Sequence, residues 1–395
     1  MFSQRLPLNR DKTGESMKFL YVGAWEDRAQ GLPARLLVFA CEDGGARCIQ
    51  TIRLESMVAK VAADAAHRLV FALVNADSRV NGGCGGALLS WRIGPDGRLT
   101  PAAQRASFGA SPIDLALTPE NIVLVNHGST TNRVCRTQRD GPGEPRVYWE
   151  YDEASVVLLA RGPGGLPGAF LDLHKCCGSG GVPFFQESAA PHSLHYSAAS
   201  GRFLVPERGS DRTSVFAVQS GRLHCLACLP ERAGFGPRNA AMTRRGDVYV
   251  VDEIEPCVTH YRLPDTRAAS RAATVSDETR ARCDADVRSF GAPHPVAVWL
   301  SADEAYLYTL TRSTDTLDVF RLDPGTGAPE RVQELALEGS NPRAALPAEG
   351  GAYVTAMDAG SCVFVHTDAA TGLVTAQQTL FTGVPGIDTL DVYEC

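Results

Sequence analysis

Residues 234–253 read GFGPRNAAMTRRGDVYVVDE. A Gly-Pro turn carrying Arg238 opens the stretch. A short alternating run follows, then the polar turn TRRGD, then an apolar, β-rich run ending on Asp252 and Glu253. Two such runs joined by a short polar turn predict an antiparallel hairpin. The start of its first strand and the end of its second lie at the same end. Arg238 and Glu253 are therefore expected side by side at one rim, although they are well separated along the chain.

The pattern recurs. Apolar runs ending on a polar residue are KFLYVGA, LVFALVN, NIVLVNH, GRFLVPE, GDVYVVDE, AYLYTLTR and GAYVTAMD. Each is followed, after a loop, by an alternating partner: ARLLVFA, GALLSWRI, SVVLLA, TSVFAV, CVTHYRL, TLDVFRL and CVFVHT. All but the first are preceded by a shorter strand entered through a turn: MVAKVA, SPIDLAL, APHSLHY, GPRNAAM, PHPVAVW and NPRAALP. Helical periodicity is nearly absent. A period of roughly 40–50 residues with this content predicts an all-β, seven-bladed β-propeller. The orphan first run KFLYVGA has a candidate partner in VPGIDTLDVYE at the other end, so the ring is expected to close by pairing of the N- and C-terminal strands, which removes exposed sheet edges. Residues 1–16 read as a flexible lead and 17–395 as one propeller. The Gly/Pro-rich stretch 133–188 reads as an insertion over one face, with Tyr148, Trp149, Tyr151 and Phe170 as lid candidates.

Composition excludes several classes. The chain has 395 residues, 44% hydrophobic and 21% charged, as in ordinary globular proteins. A formal charge of −7 with no Lys/Arg block argues against nucleic acid as a partner. No apolar run reaches membrane-spanning length. The segment MFSQRLPLNRDKTGES has no apolar centre, so a cytoplasmic location with no signal peptide is expected. Twelve cysteines are then expected as reduced thiols. Cys225 and Cys228 invite a zinc or redox reading, but they lie three apart in RLHCLACLP, a strand-like run, where they should face opposite sides, no second CxxC is present, and they read as buried structural residues. The vicinal pair Cys176–Cys177 reads as part of a loop. There is no nucleophile elbow, phosphate loop, dinucleotide fingerprint or calcium-ligand pattern. No cofactor and no metal are expected.

These repeats resemble the lactonase family of seven-bladed propellers, which includes 6-phosphogluconolactonases of bacterial type and fungal 3-carboxy-cis,cis-muconate lactonising enzymes. Fungal hetero-Diels–Alderases look like relatives of the same scaffold. The resemblance runs through GPRNAAMTRRGDVYVVDE, APHSLHYSAASGRFLVPERGSDRTSVFAV and YLYTLTRSTDTLDVFRLDPGTG. It implies catalytic roles for His192, Arg238, Glu253 and Arg312. The chain departs from the family pattern at Asn239, at Asp252–Ile254, in LTRS and at His127. These departures point away from phosphogluconolactone itself and leave a polar, cationic rim.

His192, Arg238 and Arg343 each follow a proline at one phase of the repeat, so all three are expected at the channel mouth. The plainer reading is that such residues only cap strand entries. His192 is a candidate proton carrier. Arg238 and Arg312 suit an anionic group or an oxyanion, or else simply an ion pair with Glu253. Glu253 would act as a base or orient an arginine. Arg343, Asn126, His127, Glu207, Asn239 and His294 are candidate substrate contacts, with His195 a weaker one. Asp211 and Arg212 are expected to pair in a turn. The expected function is that of a cofactor-independent enzyme that opens or forms a ring in a small molecule. The alternatives are a pericyclase, which would need an apolar mouth, and a non-catalytic propeller that binds a protein.

Overall fold

In the computed structural model the described residues are 17–395, apart from residues 28, 43, 76–84, 140, 143, 153 and 290. Seven four-stranded antiparallel sheets carry the fold. In six of the sheets the strands run outward in sequence order. The second blade is typical, with Val58–Asp64, Leu69–Val74, Ala87–Ile93 and Leu99–Ala106. The fifth holds the opening hairpin as its two inner strands, Pro237–Met242 and Asp247–Asp252.

The first blade is made from both ends of the chain. Its innermost strand is Ile387–Glu394, paired antiparallel with Lys18–Ala24 from Lys18 opposite Glu394 to Ala24 opposite Ile387. The expected closure is therefore present. Lys18 Nζ lies 2.7 Å from Glu394, but both side chains are about half exposed, so the ion pair adds little to the strand pairing.

Burial explains the strand sequences. The second strand of each blade packs between neighbouring blades on both faces, and a run buried on both faces is continuously apolar. Leu69–Val74 is buried at every position, as is Asp247–Asp252. The core is thus a set of separate clusters between adjacent blades. One joins Tyr21, Leu36, Val38, Val61, Val70 and Trp91 of the first and second blades. Another joins Tyr249, Val251, Val258, Leu307 and Phe320 of the fifth and sixth.

The stretch read as one insertion at 133–188 divides into three parts. Ser129–Gln138 and Arg146–Asp152 form a separate two-stranded hairpin. Ala154–Arg161 and Pro167–Cys176 are the two outer strands of the third blade, packed on Asn121–Asn126. A loop then leads to the short inner strand His195–Ser197 of the fourth blade. Phe170 sits on the outermost strand of the third blade against Phe108, with ring centroids 5.0 Å apart, and so does not cover the mouth. The side chains of Tyr148, Trp149 and Tyr151 lie outside the described ones.

Three inner strands begin at a proline, a fourth, His294–Leu300, has one at its second position, and all four bulge immediately afterwards. The register slips after Pro112, Pro237, Pro295 and Pro342. Proline is tolerated as the first residue of a strand because its missing N–H costs no ladder bond there. A bulge leaves the extra residue out of the ladder and re-aims its side chain. In the fifth blade that residue is Arg238, and in the seventh the slip spans Arg343 and Ala344.

The cysteine reading needs correction. Cys225 and Cys228 are exposed, on the outermost strand of the fourth blade. Cys176 ends a strand and is buried, while Cys177 is exposed. All eleven described cysteines are free thiols.

Candidate active site

The inner-strand entries of the fifth and seventh blades and the second-strand ends of the fifth and sixth meet around a cavity of about 600 Å³. Its walls include His192, Arg208, Arg238, Glu253, Arg312 and Arg343, with Trp25, Phe185 and Met357 as apolar contributors. Below it, a narrower space of about 130 Å³ shares His192, Arg238 and Arg343 and is lined further down by Lys60, Asp114 and Asn239. Lys60 and Asp114 pair there at 3.0 Å.

Glu253 is the centre. It follows directly on the strand Asp247–Asp252, and its amide donates to Gly236 O at 2.8 Å, which fixes where the side chain starts. Gly236 has φ 72°, and a Cβ there would sit 2.7 Å from Ile254, so the turn needs glycine. The Glu253 carboxylate is fully buried and accepts from three guanidiniums. Arg238 Nη1 and Arg312 Nη2 donate to Oε1 at 2.6 and 2.8 Å, and Arg208 Nη1 donates to Oε2 at 2.9 Å. Burial alone would raise this carboxyl. The guanidiniums of Arg238, Arg208 and Arg312 outweigh burial and hold it well below the usual carboxylate range. A carboxylate so held is a poor proton acceptor, which suits it to fixing the arginines rather than to taking a proton. Three cations around one anion leave two charges unneutralised, at the wall of a cavity. Burial lowers Arg238 to about 10, which still leaves it charged at neutral pH.

Arg208 went unnoticed in the sequence. It stands one place past the strand Arg202–Glu207, just as Glu253 stands one place past Asp247–Asp252, and that shared phase was the available signal. Gly209 anchors it. A Cβ on Gly209 would lie 1.6 Å from Ser188 O, so only glycine lets the chain pass there. The Arg208 guanidinium also sits over Phe185, 5.3 Å from its ring centroid, and reaches His127 Nε2 at 3.3 Å. A guanidinium only donates, so Nε2 accepts and the His127 proton lies on Nδ1, 3.2 Å from Gly128 O. Burial, followed by the Arg208 charge, lowers His127 to about 4. It is a neutral imidazole.

His192 packs edge-on against His127, with ring centroids 5.4 Å apart. Its backbone amide donates to Pro206 O at 3.0 Å, in an irregular lead to the short inner strand. Its ring nitrogens have no hydrogen-bond partner among the described residues. Burial, then the charges of Arg238 and Arg208, holds it well below the ordinary histidine range. It therefore offers the cavity an unprotonated nitrogen at neutral pH.

The other expected contacts separate. Arg343 reaches the cavity, donates from Nε to Asp388 at 2.7 Å and lies over Trp25, 4.9 Å from the ring centroid. His294 lines the cavity but is spent on backbone carbonyls, with Nδ1 3.2 Å from Glu253 O and Nε2 3.3 Å from Ser289 O. Asn239 faces the lower space, where Nδ2 reaches Val296 O at 3.5 Å. Asn126 is fully buried inside its blade and donates to Ser107 O and Ser155 Oγ. Glu207 is likewise fully buried, bound by Ser210, Ser214 and Arg212. His195 belongs to the inner strand of the fourth blade, with burial lowering it to about 4. Arg212 pairs with Glu207, whereas Asp211 accepts from the amides of Gly234 and Gly236 at 2.8 and 2.9 Å. The expected Asp211–Arg212 pair gives way because the Asp211 carboxylate is taken by those two amides and by Gln186 Nε2, while Glu207 holds Arg212. Among the described residues no group of three or more His, Cys, Asp or Glu is placed to hold a metal. No described helix is long and apolar enough to cross a membrane.

Glu253→Gln keeps the shape and removes the charge. It leaves three guanidiniums, two of them nearly buried, without their anion. The expected cost is about 3–5 kcal/mol at neutral pH, the range for a buried pair broken on one side. Because the folded-state pKa of Glu253 is lowered, this contribution is present above the unfolded value of about 4.3 and fades as pH falls through the folded one. Urea unfolding of both proteins at pH 7 and at pH 3 measures it. Equal stability at pH 7 would show that the cluster does not depend on the carboxylate.

Comparison with known proteins agrees with this architecture. A periplasmic gluconolactonase of Pseudomonas aeruginosa superposes with a TM-score of 0.73 at 21% identity, covering 95% of this chain and 99% of that one. A protein from Lactobacillus plantarum superposes with a TM-score of 0.75 at 17% identity, covering 96% and 99%. A protein of Arthroderma benhamiae described as "Probable 6-phosphogluconolactonase" is 26% identical over 178 residues, 44% of this chain and 40% of its own length. A Lactococcus lactis protein is 25% identical over 206 residues, 51% and 54%. The match thus spans about half the length, or less, of these curated relatives. The family model described as "Lactonase, 7-bladed beta-propeller" matches residues 19–386, and the chain belongs to that family.

Proposed function

We propose that the protein is a cofactor-independent enzyme that opens or forms the ring of a small anionic lactone at the mouth of its central channel. The observation that carries this is the three-arginine cluster on Glu253 beside an unprotonated, unengaged His192, all facing one cavity. Hydrolysis needs a water deprotonated near the carbonyl, a cation for the developing oxyanion and an acid for the leaving alkoxide. His192 would accept the proton of the attacking water. Its lowered pKa makes the resulting imidazolium a strong acid, ready to protonate the ring oxygen as it leaves. The unneutralised charge of Arg238 and Arg312 would meet the oxyanion, and Arg208 and Arg343 would take the acid group of the substrate. Ring closure is the same path reversed. The charged walls favour this reading over a pericyclase, for which an apolar mouth was the expectation.

The test is turnover of a set of δ-lactones, with gluconolactone and 6-phosphogluconolactone among them, together with their open hydroxy acids. Acid-bearing members are expected to react and neutral ones to react weakly or not at all. Activity is expected to survive exhaustive chelation. A lack of turnover with every anionic lactone would overturn the proposal. With His192 as base, kcat/KM is expected to stay flat as pH falls through about 6.5, the ordinary histidine value, and to drop only at lower pH. A limb near 6.5 would assign the base to another group.

A further inference from the structure

The outermost strand of the fourth blade, Arg222–Pro230, pairs inward with Arg212–Gln219 and carries Cys225 and Cys228. On a regular strand, residues three apart face opposite sides. This strand is not regular. Ala227 pairs with Val215 and Cys225 with Phe216, so Leu226 is an extra residue opposite no partner. The bulge shifts the alternation by one and turns both thiols to the same side. Their Sγ atoms stand 4.0 Å apart, and both residues are exposed. Cys228 lies opposite Ser214 and Cys225 opposite Phe216, two residues along the partner strand. That step is roughly 6.6 Å, inside the upper limit of about 6.8 Å for the Cα separation of a disulfide.

We propose that Cys225 and Cys228 are a reversible dithiol–disulfide site on the rim of the propeller, separate from the cavity at its centre. The partner is a low-molecular-weight disulfide. One protein thiolate attacks it, forms a mixed disulfide and releases one small thiol. The second protein thiolate attacks the protein sulfur of that mixed disulfide and expels the other small thiol. The protein loses two protons and two electrons, and the small disulfide is reduced to two thiols. Edge placement leaves room for the attack, because no further strand covers this one in its sheet. A shift of under one residue in an already bulged strand closes the gap between the sulfurs. Burial and the neighbouring Cys228 push the Cys225 thiol up to about 11, so the exchange is slow at neutral pH and faster in mild alkali.

The two cysteines share one tryptic peptide, LHCLACLPER, with no other cysteine. The folded protein is incubated with glutathione disulfide, quenched with N-ethylmaleimide and digested. The expected product is this peptide lighter by two hydrogens, with neither adduct, and dithiothreitol restores the doubly alkylated form. Cys228→Ser is expected instead to hold one glutathione on Cys225. Two glutathione adducts or two maleimide adducts on the peptide from folded wild-type protein would overturn the proposal. So would a disulfide that appears only after denaturation in urea.

Discussion

A chain cut after Gly386 is expected to lose its cooperative fold. The missing strand Ile387–Glu394 is the innermost of the first blade and pairs with Lys18–Ala24 along its whole length. It buries Ile387, Leu390 and Tyr393 between the first and neighbouring blades. Each such side chain is worth about 1.5–3 kcal/mol when buried. Their sum consumes much of the roughly 5–15 kcal/mol that holds a typical protein folded. The loss also strips the backbone partners from Lys18–Ala24, and leaves a long apolar edge open to aggregation. Asp388 leaves with the strand and takes with it the partner of Arg343, so the cavity is damaged as well. Thermal unfolding followed by circular dichroism, with light scattering, checks this. A truncated chain that melts as one transition near the full-length midpoint would mean the ring does not depend on its closing strand.

Arg238→Ala and His192→Ala are expected to give the largest losses of rate. Arg238 is nearly buried, is carried on a bulge and shares Glu253 Oε1 with Arg312. Under the proposed hydrolysis its removal would take one preorganised cation from the oxyanion position, and a loss of roughly 100- to 1,000-fold in kcat is expected. Arg312 remains on the carboxylate, so the variant should stay folded. His192→Ala would remove the proposed proton carrier, and a loss of roughly 100- to 10,000-fold is expected. The two readings of the cavity separate here. An enzyme that shuttles a proton needs His192, whereas a pocket that only aligns reactants tolerates its loss. Both variants are compared with wild type on the best substrate of the lactone set, with circular dichroism to confirm folding. Full activity in two folded variants would move the chemistry elsewhere and leave the cluster as a strut between blades.

What was legible in the sequence follows from what each residue has to satisfy. The inner three strands of each blade are buried on both faces or entered through proline, so their text is apolar, periodic and easy to match. The fourth strands are half exposed. Pro329–Ala336 and Val374–Phe381 carry polar residues at half of their positions, and nothing in them but position announced a strand. The neighbourhood of Arg238 and Glu253 was readable because hairpin geometry alone brings their positions together. Arg312 could be placed at the same rim through the repeat phase. Arg208 shares the phase of Glu253, but its reach to Glu253 depends on the tight passage at Gly209, which no sequence pattern announces. Asn126 and Glu207 occupy the phase of site residues yet turn into their own blades, where Ser155 and Ser214 hold them. The bulge at Leu226 is likewise invisible in RLHCLACLP, since an extra residue leaves no mark on an alternating string.

The placement of the cations has a consequence for how a ligand arrives. The chain carries a formal charge of −7, yet its unneutralised guanidiniums lie at the bottom of a recess. At a distance an anion meets an opposing field, which salt screens over about 8–10 Å at ordinary ionic strength. Close in it meets Arg208, Arg238 and Arg312, whose attraction is sheltered from solvent ions and much less screened. Added salt therefore lowers the outer barrier more than it weakens the inner hold. Long-range steering, which speeds capture in many enzymes and fades with salt, would work here against the proposed anionic ligand. On the proposed function, the recess would admit an anion by contact rather than by pull, and would hold only one small enough to enter.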